Sequence, residues 1–65
     1  MKELTILQKD VLARLRKLGK HFVARDAEDR WMQGQSSYID SRENVPTALK
    51  QAFEVANKEA TAGGK

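Results

Sequence analysis

Histidine, cysteine and serine are the side chains to examine first for catalysis, and this chain of 65 residues has few of them. His21 is the single histidine, and histidine is the residue type most often used for acid–base catalysis. There is no cysteine, which excludes disulfides, thiol catalysis and the common zinc-finger patterns. A nucleophile for His21 would have to come from Ser36, Ser37 or Ser41 through the tertiary fold alone. The sequence therefore predicts no catalytic residue, no cofactor and no enzyme activity.

The acidic residues raise the question of a metal site. Asp26, Glu28 and Asp29 lie close together, and carboxylate oxygens suit hard cations such as calcium. The cluster lacks the ordered spacing and the glycine of a calcium-binding loop. Arg25 and Asp29 are four positions apart, and so are Asp26 and Arg30. On a helix, residues at this spacing form opposite-charge pairs. The pattern favours an ion-paired helix surface over a metal site, and the four glycines do not have the spacing of a phosphate-binding loop.

Positive charge is concentrated in the first 25 residues of the chain. They contain seven Lys or Arg against two acids, whereas residues 26–65 contain five against seven. No acid occurs from Val11 to Arg25, so this basic segment would attract phosphates or an acidic protein surface. An ordinary solvated helix face would show the same pattern, and both interpretations stay open. The candidate partner-binding residues of the segment are Arg14, Arg16, Lys17, Lys20 and Arg25.

Aromatic residues provide a second possible contact surface. Trp31 and Tyr38 are able to stack on bases, and Trp, Tyr and Arg are enriched in protein-binding hot spots. Trp31 lies at helical spacing from Val23 and Ala27, which favours a position in the core. Tyr38 and the nearby Arg42 lie in a polar segment with weak periodicity. Both are therefore candidate partner-binding residues in a loop.

Amphipathic helices must position these residues. The apolar residues from Leu4 to Leu18 recur at spacings of three and four, which predicts a helix with one apolar stripe. Glu3 is expected in its first turn and Gly19 just beyond its end, and Gly34 and Pro46 mark the end of a second helix and the start of a third. The predicted helices span residues 3–18, 22–33 and 46–60, with a loop at 35–45 and a frayed tail at 61–65.

The predicted fold class is all-α, a single small three-helix domain over residues 1–65. Its predicted core consists of Leu4, Leu7, Val11, Leu15, Leu18, Phe22, Val23, Ala27, Trp31, Leu49, Ala52, Phe53 and Ala56. A chain this short buries only ~60% of the surface that its unfolded form exposes. Because disulfides and metals are not available to stabilise it, we expect a homo-oligomer. The alanines at 48, 52, 56 and 60 would let another helix approach closely.

The first functional prediction is a non-catalytic helical binding protein that acts by macromolecular contact. An accessory inhibitor or adaptor of the kind found in phages and plasmids would have this size and composition. No apolar run approaches the ~20 residues that span a bilayer, and no apolar signal-peptide region begins the chain. We therefore expect a cytoplasmic protein with no membrane contact, whose partner is an acidic protein surface or a nucleic acid.

Two alternatives come from different classes. A DNA-binding regulator would use the basic segment from Arg14 to Arg25, chiefly on backbone phosphates, with strong salt dependence. A nucleotide-binding oligomer is the other alternative. Around Ser41-Arg42-Glu43 and the later Leu49, Ala52 and Ala56-Asn57, under a third of the chain resembles the phage helical-hairpin proteins that sequester cyclic oligonucleotides. That resemblance implies capture of an anionic nucleotide at a subunit boundary, although the region before Ser41 departs from the family pattern.

Overall fold

Three α-helices form the protein, as the sequence predicts. The computed structural model describes residues 3–62, and within that range no strand occurs. The helices are α1 (Ile6–Lys17), α2 (His21–Met32) and α3 (Thr47–Ala62), and a single 3₁₀ turn at Ser41–Glu43 interrupts the loop before α3. All three helices pack against one another. The all-α fold class and the three-helix arrangement are therefore confirmed.

The first helix begins later than the stripe predicts. Thr5 is its N-cap, and a reciprocal capping box joins Thr5 to Gln8. The Gln8 N–H donates to Thr5 Oγ1 at 3.1 Å, and the Thr5 N–H donates to Gln8 Oε1 at 2.8 Å. Glu3 consequently lies before the helix, and its expected place in the first turn is wrong. Local capping decides the start because it satisfies N–H groups that the helix leaves free.

Glycine ends α1 and α2, as predicted. Gly19 and Gly34 adopt φ values of 81° and 77°, the left-handed region that glycine enters without strain. After α1, the Lys20 N–H donates to Leu15 O at 2.9 Å and the Gly19 N–H donates to Arg16 O at 3.0 Å. This is the Schellman arrangement, and the same pair of bonds follows α2. The turn after α1 therefore reverses the chain within a few residues.

The core lies where the three helices meet, and its centre is aromatic. Trp31 of α2 and Phe53 of α3 are almost fully buried, with ring centroids 5.2 Å apart and planes inclined by 48°. The other large side chains that are fully buried belong to α1 and are Val11, Leu12 and Leu15. The full buried apolar set is Val11, Leu12, Leu15, Ala24, Ala27, Trp31, Val45, Leu49, Phe53, Ala56 and Ala60. Leu4, Leu7, Val23, Ile39 and Ala52 are partly buried against it.

Two residues of the predicted core are in fact exposed. Leu18 is 47% exposed and Phe22 is 90% exposed. Leu18 is the C-cap of α1, where the chain leaves the helix axis. Phe22 lies in the first turn of α2, on the face opposite Ala24 and Ala27, so burying it would require α2 to rotate its own core residues outward. The prediction that both belong to the core is wrong.

Antiparallel packing of α1 and α3 determines which ends meet. Near the start of α1, the buried Gln8 side chain donates from Nε2 to Ala56 O at 3.1 Å, and Thr5 Oγ1 donates to a carboxylate oxygen of Glu59. The end of α1 therefore faces the start of α3. Helix α3 also includes residues 61 and 62 of the expected tail, while residues 63–65 lie outside the described range.

Candidate partner-binding groove between α1 and α3

A groove lies where the end of α1 faces the start of α3. It has a volume of about 260 Å³ and will be called the α1–α3 groove. Its lining is mostly apolar, with two cationic side chains. The lining residues are Arg14, Lys17 and Leu18 from α1 with Pro46, Ala48 and Leu49 at the start of α3. An open apolar surface flanked by charge is a common form of protein-binding site.

The groove exists because the core covers only part of the α1 stripe. At about 100° per residue, Leu18 lies on the stripe within about 20° of the buried Val11, but it is the C-cap of α1, just beyond the helix. The structure buries Leu12 to 1% exposure and leaves Leu18 almost half exposed. On the facing helix, Ala48 is exposed and has only a methyl group, so no side chain fills the space beside Leu18. The apolar surface is therefore left for another molecule to cover.

The charge around the groove is positive. Lys17 is exposed, and no carboxylate oxygen lies within 4.0 Å of its Nζ among residues 3–62. Arg14 Nε lies 3.1 Å from Asp10 Oδ2, but both side chains are more than half exposed, so this ion pair is weak. The first turn of α3 contains no acid, which leaves the positive end of its dipole without a counter-charge. A negatively charged segment would meet attraction from both helices.

The other basic residues predicted to bind a partner lie elsewhere. Arg16 of α1 pairs with Glu28 of α2, with Nη2 and Oε1 3.5 Å apart. The Nζ of Lys20 lies 3.7 Å from Glu43 Oε2 in the loop. Arg25 is exposed on α2 and has no carboxylate oxygen within 4.0 Å in the described part of the chain. The structure thus brings only Arg14 and Lys17 together at the groove.

Tyr38 and Arg42 are exposed in the loop before α3. Arg42 donates from Nη2 to Asp40 Oδ2 at 2.7 Å, and its backbone N–H donates to Asp40 Oδ1 at 2.9 Å. The Arg42 side chain, followed by its backbone N–H, lowers the pKa of Asp40 below its ordinary value of 3.8, and Asp40 in turn raises the pKa of Arg42. Tyr38 is 76% exposed. Neither residue lines the α1–α3 groove.

Tyr38 instead borders a second cavity of about 180 Å³ on the other side of α3, which will be called the loop pocket. Ile39 and Phe53 supply its other apolar walls. Lys50 and Glu54, one helical turn apart on α3, place opposite charges at its edge. The hydroxyl of Ser41 and the polar groups of Ser37 and Asn57 complete the lining.

Asn57 holds the loop against the helices. Its Oδ1 accepts hydrogen bonds from Trp31 Nε1 at 2.7 Å and from the Ser37 N–H at 2.9 Å. Its Nδ2 donates to Ser37 O at 2.6 Å, and the Ser37 hydroxyl donates to Asp26 Oδ2 at 3.2 Å. The loop next to Tyr38 is therefore attached to α2 and α3. This role of Asn57 does not follow from the sequence, because its partners are 20 and 26 residues away along the chain.

The structure offers no metal centre and no membrane-spanning helix in the part of the chain that it describes. Within residues 3–62, no three His, Cys, Asp or Glu side chains converge as metal ligands would. The helices of the same range are too short or too polar to cross a bilayer. Comparison of the chain with protein-family models, curated proteins and solved structures finds no match.

Proposed function

We propose that this protein is a non-catalytic binding protein that captures an acidic segment of another protein in the α1–α3 groove. The observation that carries the proposal is an open apolar surface, formed by Leu18, Pro46 and Ala48, beside the cations Arg14 and Lys17. An accessory inhibitor or adaptor would act in this way by covering a segment that its partner needs for another contact.

The groove suits an amphipathic helix with acidic residues at its edges. Such a helix places apolar side chains at spacings of three and four, and these would cover Leu18 and Ala48. Its carboxylates would lie beside Lys17 and Arg14, where they steer association and determine orientation. Binding removes apolar surface of both partners from water, and this burial supplies most of the binding free energy.

Nucleic acid fits the surface less well. Phosphate binding requires several free cations along one face, but Arg16 and Lys20, two of the basic residues outside the groove, each have a carboxylate partner. An apolar groove also contributes little to contacts with phosphates. The observations therefore favour an acidic protein segment over the DNA-binding alternative and over capture of an anionic nucleotide.

A peptide titration tests the proposal. The probe is a fluorescein-labelled amphipathic helix of ~15 residues with Leu on one face and Glu at its edges. The comparison peptide has Lys in place of Glu. We expect the acidic peptide to bind, measured by fluorescence anisotropy, and to bind more weakly as salt rises. Binding of both peptides with equal affinity, or of neither, would contradict the proposal.

Matched variants locate the site. Leu18→Glu and Lys17→Glu should each lower the affinity for the acidic peptide by at least about tenfold. The first removes an apolar contact at the groove and the second reverses a charge there. The controls are Ile6→Glu and Lys9→Glu, which make the same changes at exposed positions of α1 outside the groove. Equal losses in the controls would show that only the net charge matters.

The Leu18→Glu variant also distinguishes two other possible partners, a second copy of the chain and DNA. If a second copy of the chain fills the groove, light scattering will show a dimer that Leu18→Glu dissociates, and the peptide will compete with dimerisation. If the basic surface binds DNA, a labelled duplex will bind at low salt and Leu18→Glu will leave its affinity unchanged. Either result without peptide binding overturns the proposed function.

A further inference from the structure

We propose that the loop pocket binds a small aromatic zwitterion, a single-ring compound that carries both an ammonium and a carboxylate, such as an aromatic amino acid. The pocket lies on the side of α3 away from the α1–α3 groove and shares no lining residue with it. The inference is therefore independent of the proposed function.

The size and the walls of the pocket suit one aromatic ring. Its volume of about 180 Å³ is slightly larger than the ~150 Å³ cavity that holds benzene in an engineered protein. The Phe53 ring, which is 2% exposed, and the partly buried Ile39 form apolar walls. Tyr38 also lines the pocket and is mostly exposed, so its ring is available for offset stacking.

The charges at the pocket select for a zwitterion. Lys50 and Glu54 are spaced by four on α3, which places their side chains near one another. Even so, their charged atoms are not within 4.0 Å of each other, and neither has another ion-pair partner among residues 3–62. A ligand carboxylate would bind Lys50, and its ammonium would bind Glu54. Ser41 also lines the pocket, and its hydroxyl is able to donate or accept a hydrogen bond.

The pocket is formed before a ligand arrives. Asn57 bonds both the N–H and the C=O of Ser37, which places the following residues, Tyr38 and Ile39, beside Phe53. Because these bonds are made within the protein, binding does not have to order the loop. A preformed wall lowers the entropic cost of binding, so a small ligand suffices.

A ligand panel followed by ¹⁵N-resolved NMR tests the inference. The probes are L-phenylalanine, benzoate, phenethylamine and L-alanine, each titrated to 10 mM, about ten times a millimolar Kd. We expect L-phenylalanine to bind most tightly and to shift the amides of residues 37–41 and 50–57. Benzoate and phenethylamine should bind at least about tenfold more weakly, because each leaves one charge of the pocket unpaired. No shift with L-phenylalanine, or equal shifts with benzoate, would overturn the inference.

Variants of exposed or half-exposed residues keep the fold intact and test each contact. Lys50→Gln should lower the affinity for both L-phenylalanine and benzoate. Glu54→Gln should lower the affinity for L-phenylalanine and leave the affinity for benzoate unchanged. Tyr38→Phe should retain binding and Tyr38→Ala should lose it. Lys58→Gln is the matched charge control on α3 outside the pocket. If Tyr38→Ala binds as tightly as the parent protein, the pocket is not the site.

Discussion

At the scale of single residues, the side chain of Asn57 is important for the structure. It is the partner of the buried Trp31 indole N–H and of both backbone groups of Ser37. Within the described residues, every buried side-chain nitrogen or oxygen of a buried or half-buried residue has a hydrogen-bond partner. Removing the Asn57 amide would break that condition at the centre of the molecule, because water does not reach Trp31 easily.

We expect Asn57→Ala to lower the free energy of unfolding by about 2–4 kcal/mol, since it leaves buried donors unsatisfied. Urea unfolding followed by Trp31 fluorescence measures the loss. The neighbouring Lys58→Ala removes an exposed side chain and should change stability by less than about 0.5 kcal/mol. Equal stability of the two variants would show that the Asn57 bonds contribute nothing.

Asp40 provides a residue-scale prediction for pH. Its pKa in the folded protein is below 3.8 because Arg42 bonds the charged carboxylate. A depressed carboxyl pKa stabilises the fold above the unfolded pKa, and that contribution disappears as pH falls through the folded value. Arg42→Gln should therefore raise the Asp40 pKa toward 3.8, measured by carboxyl ¹³C NMR. If the pKa of Asp40 is the same in the variant as in the parent protein, the Arg42 side chain does not cause the lowering.

At the scale of elements, glycine determines where α1 ends and how closely α2 follows. Gly19 has a positive φ, and a Cβ at this position would meet no atom of a residue beyond its two chain neighbours within 4 Å. Any penalty for a side chain there comes from backbone conformation, not from a clash. The same Schellman turn leaves Leu18 at the surface of the α1–α3 groove, so the turn and the candidate site depend on the same conformation.

Gly19→Ala should destabilise the protein by about 1 kcal/mol, because alanine enters the left-handed region with strain. Gly19→Asn should cost less, since asparagine tolerates that region better than other side chains. Thermal unfolding by circular dichroism distinguishes the two. If alanine is as stable as glycine, the turn must have rearranged to a negative φ.

At the scale of the whole molecule, stability depends on one small core. A domain of this length is expected to have only about 3–10 kcal/mol of folding free energy. Trp31 and Phe53 contribute the two rings in contact at its centre. Losing one of them would remove a large part of the total stability, whereas the exposed aromatic residues contribute little to it.

The two phenylalanines make this contrast testable. Phe53→Ala should cost about 3–5 kcal/mol, the range for large-to-small changes in a core. Phe22→Ala makes the same chemical change at a side chain that is 90% exposed and should leave the unfolding free energy nearly unchanged. Chemical denaturation measures both. A large loss with Phe22→Ala would mean that another molecule covers it in solution.

Much of the fold follows from local sequence patterns. Helical periodicity identifies all three helices, and Gly19 and Gly34 end two of them as predicted, because backbone conformation there depends on the residue itself. Periodicity also places Trp31 and Phe53 inside. The alanine spacing on α3 indicates that another helix can approach closely, and of these alanines Ala56 and Ala60 are buried whereas Ala48 lines the α1–α3 groove.

Tertiary packing decides the rest. The apolar stripe of α1 continues to Leu18, and only the positions of α2 and α3 determine that Val11 is buried and Leu18 is exposed. The same packing separates basic residues that lie close together in the sequence, pairing Arg16 with Glu28 and leaving Lys17 at the groove. The sequence by itself therefore determines the helices and most of the core. Only the tertiary structure determines which apolar and charged groups remain free to bind, because that depends on contacts between distant residues.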